Sequence, residues 1–181
     1  MASFSFSLAS PELELFQLVR EWRTIRRKYG ERKQEVIISS HLQKYGGLEA
    51  QDKDGNTPLA IACICCNVPL VHFFIERKGA HINATNNNGD TPLILACSKG
   101  LVDVARILVE KGANVNAKNN NGYTPLIWAC LKGHEDVARL LIEKGADVNA
   151  KNNDGDTPLD LACNKGHEEV AQLLIEKGAE N

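Results

Sequence analysis

A unit of 33 or 34 residues recurs along most of the chain, and this recurrence constrains the fold more than any other feature. The tripeptide Thr-Pro-Leu occurs four times, at spacings of 34, 33 and 33 residues, beginning at Thr57, Thr91, Thr124 and Thr157. The units 91–123 and 124–156 are identical at 24 of 33 positions. Such a period is typical of repeat proteins, in which each unit buries its apolar surface only by stacking on its neighbours.

Each unit predicts two short helices joined by turns. Thr is a preferred N-cap residue, and the Pro after it suits the first helical position, where an N–H would have no partner. In the third unit, Gly133 favours the end of this first helix because glycine readily adopts a positive φ. Apolar residues at helical spacing, Val137, Leu140 and Leu141, indicate a second helix. A polar stretch with Asn-Gly or Asp-Gly pairs then favours a tight turn.

Longer segments also recur in register around each Thr-Pro-Leu. They read DGNTPLAIA at 54–62, NGDTPLILA at 88–96, NGYTPLIWA at 121–129 and DGDTPLDLA at 154–162, and three units continue with KGAHINA, KGANVNA or KGADVNA. These segments resemble the ankyrin repeat family over about residues 48–181, with four repeats at 57–90, 91–123, 124–156 and 157–181. The resemblance implies an all-α solenoid of stacked antiparallel helix pairs, with β-hairpin loops that project to one side.

The first and last repeats depart from the family pattern. The His that usually follows Thr-Pro-Leu is replaced in all four repeats, by Ala60, Ile94, Ile127 and Asp160. In the first repeat, Cys66 stands where later repeats have Gly, Pro69 falls near the start of the second helix, and Arg77-Lys78 adds one residue. We therefore expect a distorted helix–helix turn there. In the last repeat, polar Asp160 and Asn164 replace apolar residues, as expected of a terminal repeat that faces water.

The segment before the repeats predicts a helical element of its own. Residues 1–10 are expected to form a loose tail. Residues 11–47 carry apolar side chains at helical spacing, including Leu15, Leu18, Val19, Trp22, Ile25, Val36, Ile37 and Leu42. We interpret 11–47 as a degenerate helix pair that caps the N-terminal end of the stack, because the first repeat would otherwise expose a core face. The alternative is an appended binding element.

Basic residues cluster within this segment. They are Arg20, Arg23, Arg26, Arg27, Lys28, Arg32 and Lys33. One interpretation is a nuclear-localisation signal or a patch that contacts an acidic partner. The other is the solvated outer face of a cap helix.

The composition excludes several classes of protein. The chain has 21 Lys and Arg against 23 Asp and Glu, a formal net charge of −2, which argues against general nucleic-acid or membrane-surface binding. The sequence contains no run of 18 apolar residues, so it predicts no transmembrane helix. The first ten residues lack the basic start and the apolar stretch of a secretory signal. We therefore expect an intracellular protein, in the cytoplasm or the nucleus, with reduced cysteines.

The cysteines and histidines give no support for a metal site or for catalysis. Four cysteines fall at one position of the repeat, so stacking separates them by on the order of 10 Å, beyond the reach of a disulfide; they are Cys63, Cys97, Cys130 and Cys163. This position predicts small core-filling side chains. The cluster Cys63-x-Cys65-Cys66 lacks the C-x₂-C pairs of a structural zinc site. No nucleophile–histidine arrangement recurs, so we expect no cofactor and no enzyme activity.

A protein-binding surface is the remaining candidate site. The resemblance implies that hairpin tips and the exposed side of each first helix contact partners. Tyr123 and Trp128 stand out, since adjoining repeats have Asp and Leu there and aromatic residues dominate binding energy at interfaces. The alternative is that Trp128 fills a gap between repeats. The candidate partner-binding residues, including an acidic rim of aspartates, are Asp90, Leu95, Tyr123, Trp128, Leu131, Lys132, Asp156 and Asp160.

Three hypotheses for function follow from the sequence. The leading one is a non-catalytic protein–protein interaction module that binds another protein on the concave ankyrin face. In the second, the repeats are a docking arm for the basic N-terminal element, which contacts nucleic acid or an acidic partner. The third is a designed or consensus-like ankyrin scaffold, against which Cys66, Pro69 and the extra residue argue.

Overall fold

The computed structural model describes residues 17, 19, 38–40, 42–43, 46–77 and 79–179, without the side chain of Arg77. Helices in this part of the chain alternate between two layers. The first helices of the four repeats are α1 (Pro58–Ile64), α3 (Pro92–Ser98), α5 (Pro125–Lys132) and α7 (Pro158–Asn164). The second helices are α2 (Val68–His72), α4 (Val102–Glu110), α6 (Glu135–Glu143) and α8 (Glu168–Glu176). A 3₁₀ turn at Gly47–Glu49 precedes α1. The predicted all-α solenoid is confirmed.

The first helix of every repeat begins as the Thr-Pro-Leu motif predicts. Each Thr is buried and adopts an extended backbone, and its side-chain oxygen accepts a hydrogen bond from the backbone N–H three residues later. In the first repeat, the Ala60 N–H donates to Thr57 Oγ1 at 3.3 Å. Because this bond satisfies an otherwise unpaired helix donor inside the protein, the cap fixes where each helix starts.

One continuous apolar core runs between the two layers. Equivalent leucines and alanines of the first helices are at most 2 % exposed in all four repeats: Leu59, Ala62, Leu93, Ala96, Leu126, Ala129, Leu159 and Ala162. The small alanine side chains let neighbouring first helices approach closely, and these helices contact one another more extensively than the second helices do. Val19, Ile38 and Leu42 are at most 4 % exposed and belong to the same core.

The first repeat keeps the helix–helix turn of the later repeats, so the expected distortion of that turn is wrong, and it departs from them at the end of α2 instead. The Asn67 N–H donates to the Ala62 carbonyl, as the equivalent Leu101 N–H donates to the Ala96 carbonyl. Cys66 has φ 52°, the left-handed conformation that glycine adopts in the later repeats. The extra residue is absorbed by a π-helical turn at Phe73–Arg77, which continues α2. The Ala80 N–H accordingly donates to the Phe74 carbonyl, six residues back, whereas the equivalent Ala113 N–H donates to Leu108, five residues back. The insertion therefore stays within one helical turn, and the next repeat keeps its register.

The predicted core-filling cysteines are buried in three repeats of four. Cys63, Cys97 and Cys130 are buried, whereas Cys163 is exposed because no helix pair of the described residues stacks on α7 and α8. The core-filling prediction is therefore wrong at Cys163. Burial raises the pKa of the Cys63 and Cys97 thiols and raises the pKa of Cys130 to about 12.

Thiol reactivity should follow this burial pattern. Cys163 is expected to react with a disulfide reagent faster than Cys63, Cys97 and Cys130, because only the thiolate attacks and burial disfavours it. After denaturation without reductant, all six cysteines should titrate as free thiols. Stopped-flow labelling of Cys163→Ser should lack the fastest phase, whereas Cys130→Ser should retain it. Recovery of four or fewer thiols from freshly purified protein would contradict this prediction.

The hairpin loops form a polar ladder alongside the apolar core. Each loop is closed by a backbone hydrogen bond, such as the Asn119 N–H to the Tyr123 carbonyl at 3.1 Å, and no strand occurs in the described residues. Successive loops are joined by backbone and side chain together. The Asn120 N–H donates to the Asn88 carbonyl at 3.0 Å, and Asn120 Nδ2 donates to the Asn87 carbonyl at 3.1 Å. The same pair of bonds joins Asn153 to the preceding loop.

Candidate functional site

Four residues along one side of α5 form a surface that we call the α5 aromatic face: Tyr123, Trp128, Leu131 and Lys132. Tyr123 directly precedes the Thr124 cap, and its ring centroid lies 5.1 Å from that of Trp128, with the planes tilted by 40°. Lys132 follows Trp128 by one helical turn, and its Nζ lies 5.8 Å from the centroid of the Trp128 ring. The cation therefore sits within cation–π range of the indole.

This face is anchored to the protein and only partly covered. Tyr123, Trp128 and Leu131 are half-buried, and Lys132 is exposed. Tyr123 and Leu131 pack against a small apolar cluster of Ile127, Ala150 and Leu161, which lies apart from the main core. The equivalent positions to Trp128 are occupied by Ile61 and Leu161, which are buried, and by Leu95, which is half-buried. Trp128 is therefore intermediate between a core side chain and a surface side chain.

The indole of Trp128 contains a buried donor without an acceptor. Its Nε1 atom is inaccessible to solvent and has no hydrogen-bond partner among the described residues. An unsatisfied buried donor costs about 1–3 kcal/mol, because the group loses its bond to water and gains none in the protein. The sequence gives no signal of this cost, since it depends on which side of the ring the neighbouring repeat covers.

Trp128→Phe is expected to raise the free energy of unfolding by about 1 kcal/mol, the lower end of that penalty. The substitution keeps an aromatic ring beside Tyr123 and removes the unpaired N–H. Urea denaturation followed by circular dichroism measures the change. Tyr123→Phe is the matched control, since it also removes one polar group from the same ring pair. A loss of stability in Trp128→Phe, with Tyr123→Phe unchanged, would contradict this prediction.

The aspartates proposed as an acidic rim differ in exposure, and Asp90 is buried, in disagreement with that proposal. Asp90 is only 9 % exposed, and its Oδ1 accepts a hydrogen bond from Asn119 Nδ2 at 2.8 Å. Asp156 is half-buried and accepts a hydrogen bond from Asn152 Nδ2 at 3.2 Å. Both carboxylates therefore brace hairpin loops, and a residue's place at a loop tip does not by itself make it accessible.

Asp160 acts as a helix cap. Its Oδ2 accepts hydrogen bonds from the Thr157 backbone N–H at 2.8 Å and from the Thr157 hydroxyl at 2.7 Å, and the Asp160 N–H donates back to Thr157 Oγ1. These bonds, the backbone one first, hold the pKa of Asp160 below its usual value. Asp160 therefore completes a capping box at α7. Its side chain is half-buried, and its place in the acidic rim stays a prediction.

Three equivalent lysines form a row, of which the sequence-based site includes one residue. Lys99, Lys132 and Lys165 occupy the same position of successive repeats, at the ends of α3, α5 and α7, and all three are exposed. Only Lys132 is among the predicted partner-binding residues. The sequence indicates this row by a Lys that recurs before the inter-helix Gly, at a spacing of 33 residues. We call these three residues the lysine row.

The remaining features considered in the sequence are the basic cluster, a metal site and a membrane-spanning helix. The basic cluster of residues 20–33 lies outside the described residues. Within the described part of the chain, no group of His, Cys, Asp or Glu side chains is arranged to hold a metal ion. None of the helices described there combines the length and apolar composition that crossing a bilayer requires.

Comparison with known proteins agrees with this architecture. A family model described as ankyrin repeats, in three copies, matches residues 33–119 and 116–181. The match thus begins before the first complete Thr-Pro-Leu unit and includes residues 33–47. A comparison with curated proteins gave no match. Repeats of this family generally serve as protein–protein interaction modules and are typically non-enzymatic. The stacked helix pairs, the repeated caps and the extent of the match together show that this chain belongs to the ankyrin repeat family.

Proposed function

We propose that this chain is a non-catalytic interaction module that binds a protein partner through the α5 aromatic face. The observation that supports the proposal is the ring pair of Tyr123 and Trp128, which is half-buried and borders an exposed Lys132. In this proposal, the partner binds the concave surface formed by the first helices and the hairpin loops. The proposal also places the module in a reducing intracellular compartment, in agreement with the free thiols of Cys63, Cys97, Cys130 and Cys163.

The energetics of association favour this surface over the rest of the described residues. Trp and Tyr side chains supply large contact areas and are enriched among the residues that dominate binding energy. Tyr123 and Trp128 are already held by packing against each other and against the Ile127 cluster. A partner that covers their remaining exposed surface therefore immobilises few additional rotamers, which lowers the entropic cost of binding.

Residues 11–47 complete the stack in this proposal. The burial of Val19, Ile38 and Leu42 in the main core supports a cap, as does the family match from residue 33 onward. A capped N-terminal end leaves the first helices and the loops as the surface available to a partner. The alternative role of this segment, a basic arm for nucleic acid or an acidic partner, is tested by the deletion described below.

Affinity capture from cell extract tests the proposed surface. Trp128→Ala is expected to lose most of the specifically captured protein while its melting temperature stays within a few degrees of the parent. The loss of packing is offset in part because the unpaired indole N–H is removed as well. Ile175→Ala is the matched control: Ile175 is the large apolar side chain that α8 exposes, at 55 %, so it reports nonspecific apolar capture.

Two results would contradict the proposal. Equal capture by the parent and by Trp128→Ala would remove the aromatic face as the binding site. A melting temperature more than about 10 °C lower in Trp128→Ala would identify Trp128 as a core side chain, as expected for loss of a large buried ring.

A further inference from the structure

The lysine row carries positive charge that no carboxylate of the described residues neutralises. Lys99, Lys132 and Lys165 are exposed, and none of them forms an ion pair within the described part of the chain. Lys111, by contrast, pairs with Glu76 at 2.7 Å.

We infer that the lysine row and the α5 aromatic face bind an acidic, proline-containing segment of a partner protein in the polyproline II conformation, with a carboxylate at every third residue. The inference rests on the proposed function, because it names the segment that the same surface recognises.

The spacing of the row favours this conformation. Packed neighbouring helices lie 8–10 Å apart, so successive lysines of the row are separated by about that distance. A polyproline II helix has three residues per turn and rises about 9 Å per turn, so every third side chain points the same way at matching intervals. In a β-strand, side chains three residues apart point to opposite faces. An α-helix would need seven residues to cover the same distance.

The aromatic pair supplies a second argument. Lys132, the central lysine of the row, lies over the Trp128 ring, and Tyr123 lies against the same ring. Polyproline II segments dock on aromatic-lined surfaces, because the extended conformation is pre-formed and its ring faces pack on aromatic side chains. The prolines would therefore contact the rings while the acidic residues reach the lysines.

The charge around the row favours a peptide over a nucleic acid. The chain has a net charge of −2, and the hairpin loops expose further carboxylates at Asp54 and Asp154. A continuous line of phosphates has a high density of negative charge, which a chain of net negative charge repels. A segment with isolated carboxylates separated by neutral prolines avoids most of this repulsion.

Fluorescence anisotropy with synthetic peptides on the full chain tests the inference. The probe is a labelled twelve-residue peptide of four Glu-Pro-Pro units. Two comparison peptides share its four glutamates: one has the same composition with the glutamates adjacent, and the other is alanine-rich with one glutamate every seven residues. We expect the first peptide to bind at least fivefold more tightly than either. Its affinity should fall as salt is raised, because exposed ion pairs are screened.

Matched charge reversals locate the site. The double variant Lys99→Glu/Lys165→Glu is expected to bind the Glu-Pro-Pro peptide at least tenfold more weakly than the parent does. The control is Lys144→Glu with Lys177→Glu, which makes the same charge change at exposed, mutually equivalent positions that end α6 and α8. The control should retain affinity within about twofold. Both double variants change exposed residues only, and circular dichroism should show that both are folded.

Several outcomes would overturn the inference. The peptide with adjacent glutamates could bind as tightly as the Glu-Pro-Pro peptide, or the alanine-rich peptide could bind more tightly. A single-stranded oligonucleotide could bind as tightly as the Glu-Pro-Pro peptide. The control variant could weaken binding of the Glu-Pro-Pro peptide as much as the Lys99→Glu/Lys165→Glu variant does. The proposed function fails separately. If the Glu-Pro-Pro peptide does not bind while Trp128→Ala still loses its captured protein, only the inference is wrong. If the peptide binds through the row while capture is unchanged in Trp128→Ala, the proposed aromatic site is wrong.

Discussion

Deletion of residues 1–47 is expected to lower the stability of the first repeat by several kcal/mol while repeats three and four stay largely protected. Val19, Ile38 and Leu42 are at most 4 % exposed in the core that includes Leu59, Leu70 and Phe74. Burial of each such side chain contributes about 1.5–3 kcal/mol, and the entropy of ordering the segment offsets part of the sum. The loss is local because each repeat is stabilised mainly by its neighbours.

Hydrogen exchange of the truncated protein measures this loss residue by residue. Residues 57–90 should exchange much faster than in the full chain, whereas residues 124–179 should change little. A full-length pair supplies the control: Ile38→Ala should reproduce part of the effect, whereas Gln43→Ala, at an exposed position, should not. If the truncated chain protects residues 57–90 as well as the full chain does, the segment is an appended element. The basic-arm alternative would then become the better interpretation.

Gly122→Ala is expected to destabilise the protein by about 2–5 kcal/mol, and Gly155→Ala by only about 1–2 kcal/mol. Both glycines have positive φ, 77° and 89°, which costs an L-residue about 1–2 kcal/mol. A Cβ on Gly122 would also lie 2.5 Å from Asn153 Oδ1 and 2.8 Å from the Asn153 backbone N, whereas nothing lies within 4 Å of a Cβ on Gly155. This overpacking adds about 1–3 kcal/mol.

The difference between the two variants isolates the contact between loops. Thermal denaturation should place Gly122→Ala several degrees below Gly155→Ala, at about 2–4 °C per kcal/mol for a chain of this size. Backbone strain is common to both and cancels in the comparison. Equal melting temperatures would mean that the loop containing Asn153 moves away from Gly122 at no cost, so that the polar ladder contributes little to stability.

The sequence predicts the architecture because the repeat multiplies a weak local signal. A single Thr-Pro-Leu is a modest indication of a helix start, but four copies in register predict four caps, and all four are present. The first repeat was predictable only in part, since the extra residue indicates an irregularity but Cys66 adopts the conformation of the later glycines and keeps the helix–helix turn. The irregularity is a π-helical turn at Phe73–Arg77, which the sequence pattern does not indicate.

The candidate site was less predictable, because accessibility depends on contacts between repeats. Asp90 occupies a position that looks exposed within one repeat, yet it is held by Asn119 of the next loop. Cys163 has the residue type and position of a core cysteine but is exposed, since no helix pair in the described part of the chain stacks on its repeat. Residue type and period therefore locate a side chain in its repeat, and only the neighbours determine its exposure.

The polar ladder gives the solenoid unequal stiffness along its two edges. Opening the loop edge requires backbone and side-chain bonds at Asn120 and Asn153 to break together. The second helices along the opposite edge contact one another less extensively than the first helices do. Elastic deformation should therefore concentrate along the second-helix edge. A load applied to the ends of the molecule would spread that edge first and leave the loop edge close to its resting length.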